Sequence, residues 1–314
     1  MSTGIYIKCF KGFGNKVFDF ISALHLRKKY PNTEIFFAID KSVYDTDEDP
    51  FFGQIFPKIS AESIVKFMFM NKYKKLEIEL PITETYIDKL TDLPQTISEN
   101  VRFIGLHKFA YTMYTALNTT EKQLFVINSK LISKKIEEAS NAEYACVHVR
   151  YGDKLCYSKD IDSNPYLKYP VYTPKYYELQ IKNLLDAGVP MIYIMADTID
   201  LTNEYIMSKF TDNKKVRLME SGFVESFYLM TKAEYIILSY STFSFAAAYI
   251  NEMAICHIVK KVINDEKNDY IYEDDALDPN WILIDEPRFI LNMDQDLVNE
   301  MLSKTDMCQK YLTQ

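Results

Sequence analysis

The segment ACVHVRYGDK, residues 145–154, places an imidazole, a guanidinium, a carboxylate and an ammonium group directly after an apolar, strand-like run. These groups belong to His148, Arg150, Asp153 and Lys154. His148 and Arg150 alternate along the predicted strand, so their side chains point to the same face. Arginine offers a planar fork for bidentate contact with phosphate oxygens, and Lys154 adds a second cation. The segment is a candidate ligand-binding site, and a surface arginine in an ordinary salt bridge is the alternative for Arg150.

A glycine-containing segment, KGFGNK at residues 11–16, follows the first predicted strand and precedes a predicted helix. Gly12 and Gly14 let the chain turn sharply and bring backbone N–H groups near an anion at the start of that helix. A simple turn between strand and helix is the alternative, because two glycines alone are a weak signal. The segment is a second candidate for ligand binding.

A third polar segment, SYSTFS at residues 239–244, lies between a predicted strand and a predicted helix. Hydroxyl and N–H groups at such a position cap the helix, and they can hold a phosphate at the same end. Ordinary capping by Ser241 or Thr242 is the alternative, and it does not exclude phosphate binding. The candidate hydroxyl groups are those of Ser239, Ser241, Thr242 and Ser244.

The elements that must position these groups are predicted from the apolar patterns around them. GIYIKCF and TEIFFAID alternate as strands do, and VFDFISALHLRKKY between them has helical spacing up to Pro31. A second series starts with the strand YACVHV, and Thr173 and Pro174 mark the start of its first long helix. This strand–helix–strand order predicts parallel sheets with crossover helices.

The fold class predicted from these elements is α/β, with two doubly wound Rossmann-like domains facing a cleft. Residues 1–140 form the N-terminal domain, and a helix over EKQLFVINSKLISKKIEEASNA, residues 121–142, ends it. Residues 141–314 form the C-terminal domain, whose last helix is expected to pack back on the N-terminal domain. In sheets of this type ligands bind beyond the carboxyl ends of the strands, which is where the polar segments lie.

Composition limits the class of protein and its compartment. The net charge of −8 and the pI of about 5.2 argue against a nucleic-acid-binding protein with a basic surface. The five cysteines form no CxxC pair, so neither a zinc site nor a disulfide framework is indicated, and reduced thiols are expected. Since neither a signal sequence nor a membrane-spanning run is recognisable, we expect a cytoplasmic protein, bacterial or viral, without a membrane span.

Three segments together resemble the GDP-fucose-using fucosyltransferases, and the α-1,2-fucosyltransferase family in particular. GFGNKVFDFISALHLRKKY is similar to the family motif GGLGNQxFQYAxA, HVRYGD to HVRRGD, and IILSYSTFSFAAAYIN to IxSNSSFSWWAAYLN. They occur in the family's order, with TPKYYELQI and YIMADT matching elements between them. The resemblance implies a divergent, inverting, metal-independent glycosyltransferase with a GT-B-like fold.

The resemblance also implies roles for single residues. Arg150 matches the arginine that contacts the donor diphosphate, and His148 matches a histidine that contacts guanine. A buried core histidine is the alternative for His148. Asn15 matches an asparagine at the reacting centre, near donor or acceptor. Asp197 is expected to accept hydrogen bonds from guanine or ribose. A role as a helix N-cap is the alternative for Asp197. The N-terminal domain then forms most of the acceptor side, and the C-terminal domain binds the nucleotide sugar.

An inverting transfer generally needs a carboxylate that takes the proton of the acceptor hydroxyl. Asp153, close to Arg150, is one candidate for this base, and Glu225 is the other. The alternative role for Asp153 is to hold the turn or to orient Arg150. His148 is not expected to be a metal ligand, because the other histidines show no ligand spacing with it.

The chain departs from the family motifs at several positions. Lys16 stands where the family has Gln, and Tyr151 replaces the second arginine of HVRRGD, a loss that Lys154 could offset. The expected reaction is transfer of L-fucose from GDP-L-fucose to a glycan hydroxyl in an α-1,2-type linkage. The alternatives are a glycosyltransferase with another nucleotide-deoxysugar donor and a non-catalytic protein that binds sugar nucleotides or glycans.

Overall fold

The chain forms two compact units in the computed structural model. The first unit contains residues 1–131 and 272–278, and the second contains residues 132–271 and 279–314. The structure describes residues 4–9, 12–39, 52–61, 65–69, 83–86, 93–104, 117–158, 171–251, 254–259, 282–284 and 295–305.

The described part of the first unit contains a five-stranded parallel sheet with the strand order β3-β2-β1-β5-β4. Its strands are β1 (Gly4–Cys9), β2 (Glu34–Ile39), β3 (Lys66–Phe69), β4 (Thr83–Tyr86) and β5 (Val101–Ile104). Its helices are α1 (Phe13–Lys29), α2 (Phe52–Ile55), α3 (Pro57–Ala61) and α4 (Thr119–Lys122), with short 3-10 helices at Gln123–Phe125 and Ser129–Leu131.

Aromatic rings hold the helices of the first unit on its sheet. The ring of Phe20 on α1 lies 5.8 Å from that of Phe37 on β2 and 5.6 Å from that of Phe125. The ring of Phe56 packs against Phe125 and against Phe52. Edge-to-face contacts of this kind add to the free energy gained from burial. They hold α1 against β2, the strand that follows it.

The described part of the second unit contains a six-stranded parallel sheet with the order β11-β10-β9-β6-β7-β8. Its strands are β6 (Ala145–Val149), β7 (Ile192–Ala196), β8 (Val216–Met219), β9 (Tyr235–Ile237), β10 (Ile255–Val259) and β11 (Ile282–Ile284). Its helices are α5 (Lys134–Ala139), α6 (Gly152–Ser158), α7 (Pro174–Asp186), α8 (Ile199–Tyr205), α9 (Phe223–Lys232), α10 (Thr242–Ile250) and α11 (Gln295–Ser303), with a 3-10 helix at Met207–Lys209.

The order of the second sheet reverses at β6. Strands β7 and β8 follow on one side of β6, and β9, β10 and β11 follow on the other. Val149 lies opposite Ala196 on β7, and Val147 lies opposite Ile237 on β9. The C-terminal ends of β6, β7 and β9 therefore meet at one edge of the sheet, the place where ligands bind in doubly wound folds. The predicted class, α/β with two doubly wound sheets, is confirmed.

The described turns of the last helix, α11, pack on the second unit. Val298 and Met301 are buried in the same apolar cluster as Val149 and Leu155. These turns therefore contribute to the core of the second unit, where α11 contacts α6. The expectation that this helix packs back on the N-terminal domain stays a prediction.

Two predicted boundaries differ from the structure. Helix α1 begins at Phe13, so Gly14 and Asn15 lie in its first turn rather than in a loop, with the carbonyl of Gly12 accepting from the N–H of Asn15. The predicted helix over residues 121–142 is broken, because the Asn128 side chain and N–H bond to the carbonyls of α2. By contrast, the predicted N-cap at Thr173 is confirmed by its bond from the N–H of Tyr176 at 3.1 Å.

Among the described cysteines, Cys146 and Cys256 are buried thiols, whereas Cys156 is in a disulfide bond. The expectation that all cysteines are reduced is therefore wrong at Cys156. Within the described residues, the helices are too short or too polar to cross a membrane.

Asn251, at the end of α10, provides a test of how the second unit is held together. Its buried side-chain amide donates to the carbonyls of Met230 and Ala233 at 3.0 and 2.8 Å, and its carbonyl accepts from the N–H of Ala254. Asn251→Ala leaves these buried groups unpaired, so we expect the free energy of unfolding to fall by about 2–4 kcal/mol. Urea unfolding measures this change. The exposed Asn203→Ala should stay within about 0.5 kcal/mol, and equal effects of the two substitutions would contradict the assignment.

Candidate functional site

Arg150 follows β6 and lies between two carboxylates. Its Nη1 atom is 2.6 Å from Oδ2 of Asp197, which follows β7. Its Nη2 atom is 2.7 Å from Oδ1 of Asp153, in the first turn of α6. The guanidinium is partly buried, so both pairs are shielded from water more than surface salt bridges are. The arginine is thus held in one orientation at the edge of the sheet.

Asp197 also binds the backbone of the Arg150 loop. Its Oδ1 atom accepts from the N–H of Tyr151 at 3.0 Å, and the Thr198 hydroxyl lies 3.4 Å from the same atom. Gly152 lies against this carboxylate: a Cβ atom on Gly152 would be 2.2 Å from Oδ2 of Asp197. Contact at that distance is impossible, so the arrangement requires glycine at this position.

His148 is buried one residue before the end of β6. Its Nδ1 atom and the hydroxyl of Ser239 are 2.5 Å apart, a hydrogen bond whose donor depends on the histidine tautomer. The ring of Phe243 packs on the imidazole with 5.5 Å between centroids. Burial, together with the nearby charge of Arg150, lowers the pKa of His148 to about 3. His148 is therefore neutral and ties β6 to the segment that follows β9.

Hydroxyl groups of the segment SYSTFS form hydrogen bonds within the segment. Ser241 caps α10 by accepting from the N–H of Phe243 at 3.3 Å. Ser244 is fully buried, and its hydroxyl lies within 3.4 Å of the carbonyls of Ser239 and Ser241. Thr242 is half-buried at the first position of α10. Three of the four predicted hydroxyl groups therefore shape the loop, and their proposed role in binding phosphate stays a prediction.

Tyr151, which replaces the second arginine of the family motif, is directed into the core. Its side chain is fully buried and packs edge-on against Tyr177, with ring centroids 6.0 Å apart. Its hydroxyl has no hydrogen-bond partner among the described residues. Position 151, where the family motif has an arginine, is thus a core position in this protein, which the sequence alone did not indicate.

Both candidate bases, Asp153 and Glu225, contact other groups of the protein. Asp153 is buried and paired with Arg150, which favours the orienting role over proton abstraction. Glu225, in the first turn of α9, accepts from the N–H of Ser133, the residue before α5. Lys154 is half-buried on α6, next to Asp153 in sequence. The structure thus brings His148, Arg150, Asp153, Asp197 and Ser239 together at one sheet edge.

Gly12, Gly14 and Asn15 lie in the first unit, at the start of α1. Gly12 is the N-cap residue of α1 with a φ of −55°, which any residue can adopt, so it makes no sharp turn that requires glycine. Gly14 is buried within the first turn, whereas Asn15 is partly exposed. The predicted role of Asn15 at the reacting centre stays a prediction.

Sequence reasoning did not identify Gly152 and Phe243 as parts of this site. The sequence around Gly152 does not indicate this role, because the carboxylate that it accommodates comes from a segment 45 positions further along the chain. Phe243 stands within a recognised motif, but nothing in the motif shows that its ring contacts His148. Among the described residues, no group of three or more potential metal ligands is placed to hold a metal ion.

Comparison with known proteins defines the class. A sequence model of the family described as glycosyl transferase family 11 matches residues 66–285. The protein is thus a glycosyltransferase. Because the match covers more than half of the chain, the chain belongs to glycosyl transferase family 11, and the predicted resemblance is confirmed. The segment with Gly12, Gly14 and Asn15 lies before the matched region.

Solved structures show similarity over most of the chain. The crystal structure of POFUT1 in complex with GDP is 13% identical, with a TM-score of 0.47 over 81% of this chain and 96% of that chain. The E. coli ADP-heptose lps heptosyltransferase II is 12% identical, with a TM-score of 0.48 over 98% of this chain and 99% of that chain. No curated protein matches the sequence at a significant level. Likenesses this weak carry no argument about donor or acceptor.

The buried, neutral His148 predicts how stability depends on pH. In the unfolded chain a histidine binds a proton near pH 6.5, whereas in the folded protein the pKa of His148 is about 3. Between these values the unfolded chain binds one more proton, so the free energy of unfolding falls as the pH is lowered. This one group contributes a slope of up to ~1.4 kcal/mol per pH unit below about pH 6.5.

The measurement is urea unfolding of the wild type and of His148→Gln at pH 7, 6 and 5. We expect the variant to be less stable at pH 7 and to lose less stability on acidification, so that the two curves converge. Parallel curves from pH 7 to 5 would mean that His148 is protonated in the folded protein.

Proposed function

We propose that this family 11 glycosyltransferase transfers L-fucose from GDP-L-fucose to a glycan hydroxyl, with inversion and an α-1,2-type linkage. The observation that carries the proposal is the orientation of Arg150 at the edge of the second sheet, in the motif that resembles the family's HVRRGD. The family match supports a nucleotide-sugar donor and a glycan acceptor. The fucosyl group and the linkage rest on the motif resemblance.

In the proposed reaction, Arg150 stabilises the leaving diphosphate. Negative charge grows on the diphosphate as the bond to the sugar breaks, so a fixed cation at this position lowers the barrier. The Arg150 side chain is partly exposed, and its ion pairs with Asp153 and Asp197 hold the guanidinium in one orientation. The exposed part of the guanidinium is proposed to bind the phosphate oxygens. Lys154, Thr242 and the N–H groups at the start of α10 are further candidates for this contact.

The nucleotide is proposed to lie along the ends of β6, β7 and β9. His148 is neutral and buried, and it shapes this edge through Ser239 and Phe243. His148 remains the proposed contact of the guanine base on the second unit. Because the pKa of His148 is about 3, its imidazole stays neutral above about pH 5, and its protonation is not expected to change donor binding in that range.

Asp153 is proposed as a catalytic-site residue that orients Arg150 rather than as the base, since it is buried and ion-paired. Gly12, Gly14 and Asn15 on the first unit are proposed to line the reacting centre on the acceptor side, as the resemblance implies. We further propose that the reaction needs no metal ion, because fixed cations supply the charge that a metal would otherwise supply.

The proposal predicts specific binding of GDP through Arg150. Thermal unfolding is measured with GDP, UDP, CDP and dTDP, each in the presence of EDTA. A ligand at about 100 times its dissociation constant adds about 2.7 kcal/mol of stability, which raises the melting temperature by several degrees. We expect this rise with GDP alone. We expect Arg150→Ala to lose it, and Arg217→Ala, which removes an exposed arginine of the same unit, to keep it.

The other results decide between the alternatives. A rise with dTDP or UDP instead of GDP would favour another nucleotide-deoxysugar donor and overturn the fucose assignment. A rise with GDP that needs added magnesium would overturn metal independence. Binding of GDP-L-fucose without any release of GDP in the presence of a glycan mixture would favour the non-catalytic binding protein.

A further inference from the structure

Asp197 is placed so that only a carboxylate satisfies its surroundings. One oxygen faces the Nη1 donor of Arg150 at 2.6 Å, and the other faces the N–H donor of Tyr151 at 3.0 Å. An asparagine at this position has one oxygen and one NH2 group. In either orientation its NH2 group would point at a donor, so one of the two bonds would be replaced by a contact between two donors.

Gly152 leaves room for the same carboxylate. The position of a Cβ atom on Gly152 lies 2.2 Å from Oδ2 and 3.1 Å from Cγ of Asp197, and 3.7 Å from Nη1 of Arg150. The Asp197 carboxyl group is held by three contacts and is only partly exposed, so it has little freedom to move aside. The methyl group of Gly152→Ala would therefore displace the carboxylate from Arg150 without changing the charge of the site.

We propose that Asp197 is a positioning residue for the transfer reaction, which acts on the donor diphosphate through Arg150, and that Gly152 is the residue that permits it. This inference rests on the proposed function, because it assumes that Arg150 binds the diphosphate. It differs from the expected role of Asp197, which was a direct contact to guanine or ribose. Arginine has a long, flexible side chain, and fixing it before the donor arrives removes an ordering cost from binding.

Charge repulsion opposes the gain in donor affinity that comes from positioning Arg150. Asp197 and Asp153 place two negative charges beside the position proposed for a diphosphate, and like charges repel. If repulsion were the larger effect, removing the charge of Asp197 would strengthen GDP binding. If positioning is the larger effect, the same substitution weakens it. The sign of the change in affinity therefore decides the proposal.

The experiment measures the dissociation constant of GDP by calorimetry for four variants: Asp197→Asn, Asp197→Ala, Gly152→Ala and the double variant Gly152→Ala/Asp197→Ala. We expect each single substitution to weaken GDP binding by about tenfold or more, in the range for loss of a hydrogen bond to a charged group. Asp200→Asn, an exposed aspartate three positions further along, is the matched control and should bind as the wild type does.

The double variant tests whether Gly152 acts through Asp197. Asp197→Ala vacates the space that a Cβ atom at position 152 would enter, so the two effects should not add, and the double variant should bind GDP no more weakly than Asp197→Ala does. Additive losses would mean that Gly152 acts independently of Asp197 and would overturn its part of the proposal. Melting temperatures without nucleotide separate this outcome from loss of stability, because a purely structural role lowers the melting temperature but leaves the affinity of the folded protein unchanged.

The outcomes also separate this inference from the proposed function. If the wild type binds GDP, Arg150→Ala loses it, and Asp197→Asn binds as tightly as the wild type or more tightly, the positioning role is wrong while the proposed function stands. If the wild type binds no GDP, the proposed function fails and this role of Asp197 fails with it.

Discussion

The positive charge of Arg150 at the end of a buried strand is the constraint to which the rest of the second unit conforms. All five residues of β6 are buried, so the chain leaves the core directly at this arginine. A partly buried cation is costly unless it is paired and hydrogen-bonded. The pairing comes from two segments, the loop after β7 and the first turn of α6, and these segments are thereby fixed relative to β6.

The parallel topology explains why groups so far apart in sequence meet. β6, β7 and β9 are neighbours that run in the same direction, so the residues following each of them emerge at one edge. Arg150 and Asp197 meet across the first pair of strands, and His148 and Ser239 meet across the second pair. The result is a rigid edge of charged and hydroxyl groups, which is the kind of preorganised surface that stabilises a leaving diphosphate.

Much of this arrangement could be predicted from sequence, because it depends on local patterns. The alternation of His148 and Arg150, the strand positions before each polar segment and the N-cap at Thr173 all follow from periodicity and capping rules. The predicted helix over residues 121–142 failed because Asn128 bonds to carbonyls more than 70 positions away. The burial of Tyr151 was not predicted for a similar reason, because it depends on packing against Tyr177, 26 positions further along the chain.

The roles of Asp197 and Gly152 could not be derived from sequence at all. An acidic residue after a strand fits several functions, and only its distances to Arg150 and Tyr151 distinguish them. A glycine in a turn suggests a need for unusual backbone angles, whereas at Gly152 the requirement is space for a carboxylate. Such requirements depend on two segments meeting, which no local pattern records.

The proposed function depends above all on Arg150, held by Asp197, binding the diphosphate of the donor. The most direct test is a crystal structure of the protein grown with GDP. We expect the diphosphate at the C-terminal ends of β6 and β9, with its oxygens about 3 Å from the Arg150 guanidinium, a normal hydrogen-bond distance, and with the bond between Arg150 and Asp197 intact. GDP bound elsewhere, with no phosphate oxygen in contact with Arg150, would contradict it.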